Sequence, residues 1–477
     1  MNRRPSLVLV LVLLPILTLP LAAQQWSALG DLSVARWGAA AISIGDGQVL
    51  VIGGSTGIPI ESDPKAVPVA TCDIVDVWRG RVSTTASMAL PRAEFVALAA
   101  RDSSVVVIGG VIGIDPNGDV TGSVELFDPR SRTWRTVGSL LTARRQHVAG
   151  FIDEHRILVV GGRTKSYASL TDAEVFDLRT GTSTRATPFP YPINTSTLIV
   201  SHSGELVVVG GRTGGANSER RSEVYAYDPA TDGWVLSSVL AQSVSAVSGL
   251  RLWDRRIIVA GGLHQDLPGQ SATEVQLENV GKWKLISPMS RPRTNAGLAQ
   301  WTENRVLVVG GYHSDRQPVA TTEWIDMSRH TSSPGPSLAV ARDRFTVLSV
   351  PAGPTAAPHE HAVVAIGGLR STSELTSLVE VLRPGTDISW TVERDTSDRS
   401  VLLDAMRRLH VAYAVAAETR AELSVIDAGG NRTTIPWKVV PAGAYDEVVD
   451  LSGAPEGPCT VELSLAGELR RWRVELP

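Results

Sequence analysis

Arginine recurs in register along this chain of 477 residues. Arg36, Arg92, Arg144 with Arg145, Arg293, and Arg342 with Arg344 occupy matching places in successive stretches, and Asn194 and Ser243 hold that place in the two stretches without one. Guanidinium groups gathered on one concave face bind carboxylates and other acidic groups through paired hydrogen bonds, so these nine residues are candidate ligand-binding groups. Acids recur as well, at Glu125, Glu174, Glu223, Glu274, Glu323 and Glu380. An acid repeated in every stretch suits a structural counter-charge better than catalysis, which needs one asymmetric acid or base. Bracing the neighbouring blade through a carboxylate or backbone carbonyl is therefore the second reading of the arginines.

Other chemistry is sparse. His359 and His361 flank Glu360, and i, i+2 spacing in a strand puts both imidazoles on one side, but no third metal ligand presents itself. Glu94 and His147 lie close to the recurring arginines and are the residues available for acid–base work. No phosphate-binding loop, dinucleotide loop or Ser–His–Asp order appears. The sequence implies no metal, no cofactor and no catalytic set. A net charge of −4 argues against nucleic-acid binding driven by bulk electrostatics.

The scaffold for these residues shows in a second repeat. An apolar, β-branched run stops on two glycines seven times, as in QVLVIGG, SVVVIGG, RILVVGG and RVLVVGG, at steps of 49 to 57 residues. The pairs are Gly53–Gly54, Gly109–Gly110, Gly161–Gly162, Gly210–Gly211, Gly261–Gly262, Gly310–Gly311 and Gly367–Gly368. Each unit has an opening strand such as RQHVAGFI, a tight turn, the diglycine strand and a polar loop of variable length. A third strand carrying an acid follows, as in SVELFDP, and then a fourth that begins near a Trp in several copies, as in RTWRTVG and DGWVLSS. Short apolar runs bounded by turn residues, with little alternation, predict strands buried on both faces. Four antiparallel strands cannot bury both faces alone, whereas radial packing of such sheets does so. The expectation is an all-β, seven-bladed propeller.

The apolar run, diglycine, acidic third strand and spaced Trp resemble the Kelch repeat over residues 26–395. That resemblance implies that the diglycines are structural and end the second strand of each blade. Unit three lacks the Trp, Trp78 comes early in unit one, and Trp324 falls within the third strand of unit six. The ring is closed either by the strand around Trp26 or by Ile388–Asp395; the Trp26 strand is preferred because it continues into Arg36 and Trp37 as the other units do. Kelch-like copper radical oxidases need a Cys–Tyr pair and two central His. Cys72 sits too far out, on a third strand, and there are seven Tyr, so that reading fails. A sialic-acid isomerase of Kelch type, with Glu94 or His147 serving, is the alternative to a binding module.

The two ends of the chain suggest export. Residues 1–23 combine Arg3 and Arg4, an apolar core interrupted by Pro15 and Pro20, and a small-residue end at Ala22–Ala23, which predicts a removed signal peptide rather than an anchor. No later stretch is apolar for long enough to span a bilayer. Cys72 and Cys459 fall in different predicted domains and read as two unpaired thiols. Residues 396–477 carry short alternating runs between turn signals and predict a small Ig-like β-sandwich after a propeller at 24–395. Asp427 with Gly430, Ala442–Gly443, Asp450–Gly453, Pro455 with Gly457, and Arg470–Leu476 resemble the sorting domain of type IX secretion cargo; Cys459 and the final Pro477 depart from it. That resemblance implies secretion machinery as a partner and a secreted or cell-surface protein. The functional expectation is an exported recognition module that presents its arginines to a protein, peptide or glycan.

Overall fold

The computed structural model describes residues 25–384 except 58–66, 114–118, 215–217, 265–271, 273, 280–281, 354–359 and 372, together with the tail strands between 400 and 476. The signal-peptide stretch, Ile388–Asp395, His359, and Asp427 with Gly430 lie outside the described residues. Of two compact units, the propeller is Gln24–Pro384, so it ends before residue 395.

Seven antiparallel sheets follow one another along this unit. Blade three shows the pattern: Val148–Phe151, Arg156–Val160, Ala173–Asp177 and Thr182–Ala186 pair in chain order from the inside out. Blade seven takes three strands from the end of the unit, Thr346–Pro351, His361–Ile366 and Leu378–Leu382. Its fourth is Trp26–Asp31, which pairs with Leu378–Leu382. The Trp26 strand thus occupies the closing place. First strands of successive blades contact one another all the way around, including blade seven with blade one.

The diglycine strands are apolar without alternation because each feeds two cores. Val49 and Val51 pack with Val350 and Val364 of blade seven, while Leu50 and Ile52 on the other face pack with Val105 and Val107 of blade two. The same division recurs at every blade boundary. Radial packing therefore buries both faces of a four-stranded sheet.

In the tail, Ser400–Leu403, Arg408–Val415 and Gly443–Asp450 form one antiparallel sheet. Arg432–Val440, Thr419–Ile426, Gly457–Leu465 and Glu468–Leu476 form another. Among the described residues, no helix is long and apolar enough to cross a membrane.

Candidate functional site

The recurring arginines divide into two groups, and the larger one is internal. Arg36, Arg92, Arg144, Arg293 and Arg342 are at most 1% exposed. In blade two, Arg92 Nη1 donates to the carbonyls of Gly109 (2.9 Å) and Ser123 (3.0 Å), and Nη2 donates to Glu125 Oε1 (2.5 Å). Arg144 does the same to Gly161, Asp172 and Glu174, and Arg293 to Gly310, Thr321 and Glu323. Arg342 binds Gly367, Leu378 and Glu380, and Arg36 binds Gly53, Thr71 and Asp73. The acid in turn accepts backbone N–H groups from the segment entering the blade, as Glu125 does from Ala89 and Leu90. Each set fastens the diglycine end to the third strand, leaving these five guanidiniums closed to a ligand. The expectation that they line an open face is corrected by their burial; they brace through carboxylate and carbonyl as the second reading held, but within their own blade rather than onto the neighbouring one.

Backbone register corrects two further positions. The second glycine of each pair donates its N–H to the carbonyl at the next blade's arginine place: Gly54 to Arg92, Gly110 to Arg144, Gly262 to Arg293, Gly311 to Arg342, and Gly368 back to Arg36. The two blades without an arginine put Ile193 and Val244 there, accepting from Gly162 and Gly211. Asn194 and Ser243 are each one residue out of register. Asn194 is buried and donates from Nδ2 to Ser169 Oγ (2.8 Å) and to the Arg212 carbonyl (3.3 Å), while Ser243 is half-buried near the end of an outer strand.

Chemistry follows the register. In blade five, where Val244 replaces arginine, Gln276 rather than Glu274 takes the acid's place and accepts the Ala241 N–H (2.8 Å). A neutral amide there avoids an uncompensated buried charge. In blade four Tyr225 stands at the acid's place, opposite Val208, and Glu223 lies two residues earlier, paired with Arg221 on the same strand.

An open group lies just beyond the arginine place, at the entrance to the first strands. Gly38, Glu94, Gln146, Thr195, Ala246, Asn295 and Arg344, one per blade, all have φ between 49° and 61°. Six non-glycine residues in the left-handed region store strain, the kind of departure that concentrates at functional sites. Backbone bonds link this ring: Gly38 N–H to the Arg344 carbonyl, Gln146 to Glu94, and Ala246 to Thr195.

Blades three and four make the entrance basic. Arg145, 8% exposed, lies 4.2 Å over the Tyr167 ring and 3.5 Å from Glu94 Oε2. Arg163 and Arg212 directly follow their diglycines and bridge Arg145 and Asn194, respectively, while Arg220 bridges Arg212. Burial, then Arg212 and Arg145, pull the Arg163 guanidinium below its ordinary value, with Glu94 and Tyr167 opposing. Burial and Arg212 do the same to Arg220, with Tyr312 opposing. Four cations thus sit close enough to disfavour one another. The Nε atoms of Arg145, Arg163 and Arg212, Gln146 Oε1, Asn194 Oδ1 and Thr195 Oγ1 are buried without a hydrogen-bond partner among the described residues.

Across the entrance, Asp343 is raised by burial, against Arg344 (3.7 Å) and the Asn295 amide (3.2 Å). Arg344 lies over the Trp37 ring. The basic side can take an anion, and the far side adds aromatic and acidic contacts. Sequence reasoning placed Arg145 and Arg344 near this entrance but missed Arg163, Arg212 and Arg220. For Arg163 and Arg212 the signal was GGR, present in two of the seven diglycine units; Arg220 carried none.

The two candidate acid–base residues separate. Glu94 lies at the entrance, paired with Arg145 and accepting the Gln146 amide (3.1 Å). His147 is buried, and desolvation, then Arg144, push its ring down to about 3. It is neutral and enclosed. Cys72 is a buried free thiol raised to about 11, chiefly by burial. Among the described residues, no group of His, Cys, Asp and Glu side chains is arranged to hold a metal.

The fold and its repeated bracing define a seven-bladed propeller. Residues 95–311 match the KLHDC2/KLHL20/DRC7 Kelch-repeats domain. The chain is 27% identical to human Kelch-like protein 34 over 210 residues, covering 42% of this chain and 31% of that protein. It is 26% identical to alpha-scruin of Limulus polyphemus over 233 residues, covering 47% and 25%, respectively. The chain thus spans about a third or less of these relatives' length. The solved structure of YjhT has the same fold, with a TM-score of 0.50 and 16% identity, covering 65% of this chain and 99% of that one.

Proposed function

We propose that the propeller is a protein-recognition module that takes an acidic segment of its partner over blades three and four. Kelch propellers bind protein partners, and the observation carrying the reading is the convergence of Arg145, Arg163, Arg212 and Arg220. Paired guanidiniums favour carboxylates through bidentate bonds. Acidic-peptide and glycan arrays probed with the purified chain supply the test. Capture should concentrate on acidic peptides and be lost in Arg163→Glu/Arg212→Glu; undiminished capture by that folded variant overturns the site, and capture of glycans alone overturns the partner class.

A carbohydrate-active enzyme is the second reading, resting on Glu94 at the entrance. Turnover of an acidic sugar that Glu94→Gln abolishes, with binding retained, would favour it. Export to the cell surface completes the proposal, supported by residues 1–23 and by the tail's sorting-domain resemblance. Deleting residues 400–477 should leave a folded propeller held inside the outer membrane; normal surface delivery of that chain overturns the sorting role.

A further inference from the structure

The repeat supplies its own control for surface chemistry, and one blade departs from it. Aligned on the first-turn position of the outer strand (Trp26, Val82, Trp134, Ser183, Trp234, Trp283 and Ser332), the next two residues are exposed in every blade. In six blades these pairs include a polar or charged residue or are small: Ser83–Thr84, Arg135–Thr136, Thr184–Arg185, Lys284–Leu285, Ser333–Pro334 and Ser27–Ala28. Blade four puts Val235 and Leu236 there, 58% and 52% exposed, and adds Val239 at 52%. Its outer strand, Gly233–Ser245, is 13 residues long and contains no charged residue.

That strand is a sheet edge. Gly233–Val239 pairs with the third strand on its inner side, and the short strand Leu263–His264 covers only Val244 and Ser245 on the other. Edge strands are normally blunted by charge, proline or short length. Arg81, Arg135, Arg185 and the Lys282–Lys284 pair do this in blades one, two, three and five, Pro334 in blade six, and Asp31 in blade seven. Blade four carries a bulge at Ser237 and none of the other devices, leaving Gly233–Leu236 as a straight, neutral, apolar template.

We propose that the outer edge of blade four is a homotypic interface, at which it pairs antiparallel with the same strand of a second copy. Charge selects this occupant. An isologous contact lays a strand against itself, so any charge near the two-fold axis meets its own kind. The outer strands of blades one, two, three and five would oppose Arg or Lys in this way, whereas Val235–Val239 opposes only neutral side chains. Exposed Leu285 of the neighbouring blade, whose Trp283 Nε1 donates to Ser238 Oγ (2.9 Å), extends the apolar rim. The pairing makes a continuous eight-stranded sheet and is independent of the basic entrance.

Sedimentation equilibrium of the full chain tests the proposal. The chain should dimerise reversibly; Val235→Lys should weaken the dimer at least tenfold, and mixing Val235→Lys with Val235→Glu should restore association as opposite charges meet. Arg135→Ala, on the matching strand of blade two, should leave the constant unchanged. A wild-type chain that stays monomeric to its solubility limit overturns the proposal, as does a dimer indifferent to Val235→Lys. Far-UV circular dichroism confirms that each variant is folded, and failure of the mixed pair to associate despite native spectra counts against self-pairing as well.

Discussion

At the scale of single residues, the same amino acid serves two physical ends. Arg92 is fully enclosed against Glu125, so Arg92→Ala leaves a carboxylate buried without a counter-charge and should destabilise the chain by about 3–5 kcal/mol. Adding Glu125→Gln should recover much of that loss, because blade five already works with Val244 and Gln276. Guanidinium denaturation of the single and double variants measures the coupling. Arg163→Ala, at a half-buried site, should cost little stability and act on ligand capture alone. His147 gives a pH signature. Its native ring stays neutral to about pH 3, whereas in the unfolded chain it protonates near 6.5. Between those values the unfolded chain holds the additional proton, so stability falls as pH drops, by about 1.4 kcal/mol per pH unit, and is unaffected above 6.5. Phe95 and Phe345 occupy the same place, three residues after the bracing arginine, in sister blades. His147→Phe should flatten the acid limb of a stability–pH profile; an unaltered slope would show that the proton uptake lies elsewhere.

At the scale of the element, the diglycine is a close-approach device, and its neighbour at the entrance is not. A Cβ on Gly161, at φ 62°, would stand 2.5 Å from the Ile193 carbonyl oxygen. Gly161→Ala should therefore cost several kcal/mol, in the range of about 2–4 for combined backbone strain and displacement of a packed neighbour. Gly38 has nearly the same φ, 61°, with nothing within 4 Å of a Cβ, and Asn295 stands at that ring position in blade six. Gly38→Asn should shift the melting midpoint by a degree or so at most; a loss matching that of Gly161→Ala would remove the distinction. The contrast also marks what the sequence made legible. Blade number, diglycine role and preference for the Trp26 strand were readable because burial on both faces and close approach leave a mark in every repeat. The binding entrance was not, because a recurring arginine beside a recurring acid reads equally as open ligand group or internal brace. Arg92 recurs and is enclosed, whereas Arg163 stands outside that recurring set, half-buried at the place after a diglycine. The variable residue after the diglycine, Ser55, Val111, Arg163, Arg212, Leu263, Tyr312 or Leu369, breaks the repeat and carries the site's individuality.

At the scale of the whole propeller, stability depends on joining strands distant in sequence. Repeat arrays gain stability from nearest-neighbour interfaces, and a closed ring has no free terminal repeat. Here closure rests on Trp26–Asp31 as the outer strand of blade seven, on Trp26 Nε1 donating to the Pro336 carbonyl (2.9 Å), and on Gly368 N–H donating to Arg36 (2.9 Å). Trp26 packs with Trp301, Trp324, Leu338 and Leu382 across blades six and seven. Trp26→Ala removes a core aromatic, so it should cost about 3 kcal/mol, against a fraction of that for Trp253→Ala, whose ring is 39% exposed. Where the loss appears is more diagnostic than its size. If the Trp26 strand clasps the ring, the Gly368 amide should exchange with deuterium much faster in the variant, since its acceptor belongs to blade one and opening separates blade one from blade seven. The Gly162 amide, bound to Ile193 between blades three and four, should keep more of its protection. Equal acceleration at both amides would mean that the propeller opens as a single unit and that closure is shared evenly around the ring.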